Sequence, residues 1–227
     1  MSWIIISIGI LLSSPIMYLF VRKEKELNKD IAIQNLSIFL IPTIVYFVYN
    51  LISKTSMIIE FKYFLMLLGA ALLFSLLGNI FSMKAIQLAS NPGYSLMIQK
   101  SYTIFTTIMS VFLFGSSINL KSVIAILIVL CFVALIIIEK SDKKEENKKW
   151  IFYTFGAFFA FGFLSLANTY FGKRGITSTV INFYICLIVT ISFLIQIFVK
   201  KIKLSFDKKV LEYLLEQVYR HLFLTFA

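Results

Sequence analysis

Long apolar runs broken by short polar or charged segments pattern the chain from end to end. Seven runs, at about 3–21, 32–53, 63–83, 94–114, 121–138, 151–171 and 179–199, contain no Asp or Glu. Each is long enough to cross a bilayer, because a hydrocarbon core ~30 Å thick needs ~20 residues rising ~1.5 Å apiece. The runs do not alternate with a period of two, so they predict helices rather than the strands of a closed barrel. The first run is not a cleavable leader: it lacks a basic start, and Val21-Arg22-Lys23 offers no small-residue cleavage site. Residues 208–227 differ. Glu212, Glu216, Gln217, Arg220 and His221 interrupt them, while Val210, Leu211, Leu214, Leu215, Val218 and Leu222 share one helical face. That pattern predicts an interfacial helix or a partial eighth span.

The chain also matches itself. A shift of 147 residues places Trp3 on Trp150, Gly9 on Gly156, Asn35 on Asn182 and Lys62 on Lys209. The helix breaker Pro15 falls on Gly162. One repeat then holds five spans, an odd number, so the second copy enters the membrane upside down. The expected architecture is all-α and polytopic, with inverted five-helix repeats and seven to eight transmembrane helices. It divides into a first repeat at 1–140, a charged linker at 141–150 and an incomplete second repeat at 151–227. Residue 227 matches residue 80 of the first copy, so the second is expected to lack about 60 residues.

Composition agrees with a membrane protein. Hydrophobic residues make up 59% and charged residues 15%, against roughly 45–50% and about 25% in soluble domains. A water-soluble enzyme is therefore excluded. Two Cys and one His supply neither a disulfide scaffold nor a zinc site, and Cys131 and Cys186 read as buried apolar residues. No catalytic residue, cofactor or metal is expected.

Net charge is +11, and its distribution reports topology. The odd-numbered connections carry Arg22, Lys23, Lys25, Lys29, Lys84, Lys140, Lys143, Lys144, Lys148, Lys149, Lys200, Lys201, Lys203, Lys208 and Lys209. The even-numbered ones carry only Lys54, Lys62, Lys121, Lys173 and Arg174. Cytoplasmic loops gather Lys and Arg, so a multi-pass protein of the cell membrane with its N-terminus outside is expected. The basic residues sit in short loops, which argues against nucleic-acid binding.

The stretch from Met83 to Glu139 contains Lys84-Ala85-Ile86-Gln87-Leu88-Ala89, Asn91-Pro92-Gly93-Tyr94, the exit Leu113-Phe114-Gly115 and Asn119-Leu120-Lys121. With the five-plus-five arrangement, this wording resembles the EamA-like permeases of the drug/metabolite transporter superfamily, over about residues 1–200. The resemblance implies a permease moving a small metabolite by alternating access between inverted repeats. Two departures stand out. Ser116 and Ser117 replace the acidic residue many relatives carry after Leu-Phe-Gly, and the run Ile124–Ile138 has none of the usual glycines.

Inverted-repeat transporters bind substrate near the membrane midplane, often at interrupted helices. Interruptions are expected at Pro15 and at Gly162. Gln99, Thr103, Thr106, Thr107 and Ser110 form a polar stripe on span four, while Ala71, Ser75, Gly78, Asn79 and Ser82 form a small-residue packing stripe on span three. Lys100 is the charged residue well inside a span, able to snorkel or to meet an anionic substrate group. The substrate-cavity candidates are Ser14, Tyr18, Asn79, Gln99, Lys100, Thr103, Thr107, Ser165, Asn168 and Tyr170. Asn35 and Asn182 are expected to cap or anchor spans two and seven. Without a carboxylate in the spans, facilitated diffusion or exchange is favoured over carboxylate-mediated proton antiport. The expected partners are the lipid bilayer and a small-molecule substrate, and a homo-oligomer is compatible with these features. The competing expectation is a truncated, inactive or partner-dependent membrane subunit.

Overall fold

The computed structural model describes residues 30–121, 123–128, 131 and 149–202. Among them every regular element is helical. Five helices are long and apolar enough to cross a membrane: α1 Ile31–Ile52, α2 Phe61–Leu88, α3 Pro92–Phe114, α4 Lys149–Lys173 and α5 Ser178–Val199. They fall on the second, third, fourth, sixth and seventh runs. The first run, with Ser14, Pro15 and Tyr18, most of the fifth run and residues 208–227 lie outside the described residues.

Two of the five helices are irregular. A π-helical turn spans Ala71–Leu76 inside α2, and α3 breaks at Ser101 into Pro92–Lys100 and Tyr102–Phe114. By contrast α4 runs unbroken through Gly162, where an interruption was expected. The missing side chain there serves packing: a Cβ at Gly162 would lie 2.5 Å from the Phe105 ring.

The described residues form two compact units, one made of those up to Leu68 and from Ile176, the other of those within Gly69–Gly175. Each includes helices from both sides of the 141–150 segment.

In the first unit α1 and α5 pack antiparallel. Phe39 meets Phe193, Thr43 meets Thr190, Phe47 meets Phe183 and Asn50 meets Thr179, so one number rises as the other falls. Both helices are 22 residues long, and each boundary of α5 lies 147 residues after the matching boundary of α1. The ends duplicate as well. Asp30 and Thr177 are the N-caps, and the Asp30 carboxylate accepts from the Ala32 amide at 2.8 Å. Past the C-caps, Lys54 and Lys201 both turn left-handed at φ 51°. The amides of Thr55 and Ile202 then reach back to the carbonyls of Asn50 and Ile197, at 3.0 and 3.1 Å. This is a Schellman closure twice over, with lysine where glycine is usual. At the crossing, the Thr43 hydroxyl donates to the Phe39 carbonyl at 2.8 Å and lies 3.2 Å from the Thr190 hydroxyl, its match 147 residues on.

The second unit is organised on α4. Ser95–Thr154, Tyr102–Phe161 and Phe114–Lys173 are all pairs separated by 59 residues, so α3 and α4 run parallel. The second half of α2 runs antiparallel to α4: Phe74 faces Phe163 and Phe81 faces Tyr153. Between apolar helices in lipid, close approach supplies the attraction. Glycines permit it here, since a Cβ at Gly78 would lie 3.0 Å from that of Ala160, and one at Gly156 would lie 2.6 Å from the Phe81 ring. Ala71, Ser75, Gly78 and Ser82 are all buried, as a packing stripe requires.

Candidate functional site

Polar side chains inside apolar helices are costly unless hydrogen-bonded. The way each group meets that demand separates scaffold from candidate site. In the second unit one set is consumed by helix-to-helix bonds. The Ser82 hydroxyl donates to Gln99 Oε1 at 2.6 Å, and Gln99 Nε2 donates to the Ser95 hydroxyl at 2.9 Å. The Ser95 and Thr154 hydroxyls lie 2.9 Å apart, and Thr154 donates to the Trp150 carbonyl at 2.8 Å. With Ser95 donating onward, the Ser95 and Thr154 hydroxyls each give one hydrogen and accept one, so the chain runs in a single direction from Ser82 through α2, α3 and α4. All four side chains are buried, Gln99 being 1% exposed. Gln99, one of the predicted cavity residues, thus belongs to the scaffold.

The second set folds back on its own backbone. Thr106 and Thr107 both donate to the Thr103 carbonyl, at 2.9 and 2.7 Å, and Thr103 donates to the Lys100 carbonyl at 3.4 Å. Thr169 donates to the Ser165 carbonyl at 3.0 Å, and Asn79 Nδ2 to the Ser75 carbonyl of the π turn at 2.8 Å. These groups keep lone pairs for an outside donor. Thr103 is exposed, and Asn79, Thr106, Thr107, Ser110, Ser165 and Tyr170 are half-buried. Lys100 is exposed and stands immediately before the Ser101 break. At that break the Ser101 hydroxyl closes onto the Ile98 carbonyl at 2.6 Å.

Asn168 belongs to neither set. Its amide oxygen is buried and finds no hydrogen-bond partner among the described residues. Near the same end of α4, the Arg174 guanidinium lies 5.2 Å from the centre of the Tyr170 ring, and Lys173 Nζ lies 4.7 Å from that of Phe114.

Of the ten predicted residues, eight fall in the described part, and all eight lie in the second unit on α2, α3 and α4. Asn35 and Asn182 are not caps. They sit a turn inside α1 and α5, where Asn35 Nδ2 donates to the Ile31 carbonyl at 3.0 Å and Asn182 Nδ2 to the Tyr46 hydroxyl at 3.4 Å. Cys131 is exposed, against the expectation that it is buried, and Cys186 is half-buried. The π turn and the Ser101 break carry no signal in the residue pattern. The four-residue spacing of Ser95 and Gln99 could have disclosed their bond.

No family model, no curated protein and no solved structure matches the chain.

Proposed function

We propose that the chain is a secondary permease of the drug/metabolite transporter type, moving a small metabolite by alternating access between inverted five-helix repeats, with its N-terminus outside the cell. One observation carries the reading. The 147-residue shift found in spans one and six also relates α1 to α5 in length, in both boundaries and in the closure of both C-termini. Equivalent helices of an inverted repeat run in opposite directions, as this antiparallel pair does. The discontinuities in α2 and α3 add support, since transporter sites favour broken helices and π turns mark functional sites.

In this reading Asn79, Thr103, Thr107, Ser165, Asn168 and Tyr170 line the substrate path, and Lys100 meets an anionic group. The five long helices hold no Asp or Glu, so uniport or exchange is preferred to proton antiport through a carboxylate.

The test is counterflow of labelled metabolites into liposomes containing the purified chain, across a panel of amino acids, sugars, nucleotides and organic anions. Specific accumulation of at least one solute is expected. Asn168→Leu should then lower the initial rate roughly tenfold or more while leaving thermal stability unchanged or raised, because the buried amide oxygen has no bond to lose. No flux for any solute removes the permease reading in favour of a partner-dependent membrane subunit.

A further inference from the structure

The duplication of α1 and α5 is regular at the backbone and irregular in the side chains. Toward the Ile52–Ser178 end, α5 grips α1 with an amide clamp: the Thr179 hydroxyl donates to Asn50 Oδ1 at 2.7 Å, and Asn50 Nδ2 donates to the Thr179 carbonyl at 3.3 Å. Asn50 is fully buried. One turn further along, Asn182 donates to Tyr46. The Tyr184 hydroxyl donates to the Met57 carbonyl at 2.8 Å, tying the segment after α1 to the same end.

The opposite end holds the matching positions 147 residues away, with different chemistry. The mates of Asn50 and Thr179 are Ile197 and Ala32, whose side chains cannot hydrogen-bond. The mate of Tyr46 is Phe193, which brings no hydroxyl, and the mate of Asn182 is Asn35, whose buried amide oxygen finds no partner among the described residues. At these mated positions the two ends therefore carry unequal side-chain hydrogen bonding. Close packing attracts the helices at both ends alike, whereas parting the clamped end also leaves buried amide and hydroxyl groups without partners.

We propose that the Asn50–Thr179 clamp is a latch that keeps one end of the α1–α5 pair shut, so that the pair parts at its Ala32–Ile197 end. This deepens the permease reading, in which the pair crosses the membrane and its two ends face opposite sides. The proposal draws on that reading for the choice of mates, but its test uses no transport.

Replacing both native cysteines, Cys131 and Cys186, provides the background for single cysteines at Ala32 and Val180, each 1% exposed and within three residues of its helix start. Labelling by a small water-soluble thiol reagent in lipid nanodiscs should be about tenfold faster for Ala32→Cys than for Val180→Cys, since each 1.4 kcal/mol is a factor of ten. Asn50→Leu should raise the Val180→Cys rate toward that of Ala32→Cys. Thr179→Val, which removes the hydroxyl while keeping the shape, should do the same and serves where Asn50→Leu does not fold. Equal rates in the starting background, or a Val180→Cys rate that neither substitution raises, would overturn the latch whether or not the chain transports anything.

Discussion

Gln99→Leu lowers the thermal midpoint of the purified protein in detergent by about 4–8 °C, equivalent to about 2 kcal/mol in a chain of this size. The reason is positional. Gln99 is the link through which α2 bonds α3, and its amide accepts from Ser82 while donating to Ser95. Leucine fills the space but leaves the Ser82 hydroxyl without its acceptor and Ser95 without one donor. A double-mutant cycle separates this from lost packing. Ser82→Ala costs less in the Gln99→Leu background than alone, because the hydroxyl it removes has already lost its partner. Additive losses would show that the 2.6 Å contact contributes nothing to stability.

Gly162→Val is expected to cost more, about 3 kcal/mol, the upper range for overpacking. A Cβ at Gly162 meets the Phe105 ring at 2.5 Å. That ring cannot swing aside cheaply, since it is packed edge-on against Phe159 and Phe163, with centroids 5.6 and 5.3 Å away. Gly172 supplies the contrast within the same helix. Nothing lies within 4 Å of a Cβ built there, so Gly172→Ala should gain up to ~1 kcal/mol from helix propensity alone. Opposite signs for these substitutions, measured by thermal unfolding, would establish that Gly162 is kept for the approach of α3 to α4. Phe105→Leu should partly rescue Gly162→Val by removing the ring edge.

The spans were legible in the residue pattern because lipid imposes a simple rule: a crossing helix must be apolar along its whole length. For that reason 32–53 and 179–199 anticipated α1 and α5 almost to the residue. The rule weakens at helix ends. Helix α2 extends to Leu88, five residues beyond the apolar run, since Lys84 can stay helical with its ammonium 5.3 Å from the centre of the Tyr153 ring. The hydroxyls were not legible individually. Ser95 and Thr103 both lie in one apolar helix, yet one bonds across to α4 and the other back to its own turn. Which happens depends on the rotation of α3 and its 59-residue register against α4, a tertiary property. Gly162 was misread for a related reason, since a glycine that breaks a helix and one that admits a ring carry the same letter.

The proposed inversion is open to one direct measurement. Ser53 and Lys200 are the exposed C-caps of α1 and α5, 147 residues apart. In intact cells expressing a variant without the native cysteines, Ser53→Cys should react with an impermeant maleimide. Lys200→Cys should react only after permeabilisation. Labelling of both from the same side would contradict the inverted repeat, and with it the proposed mechanism.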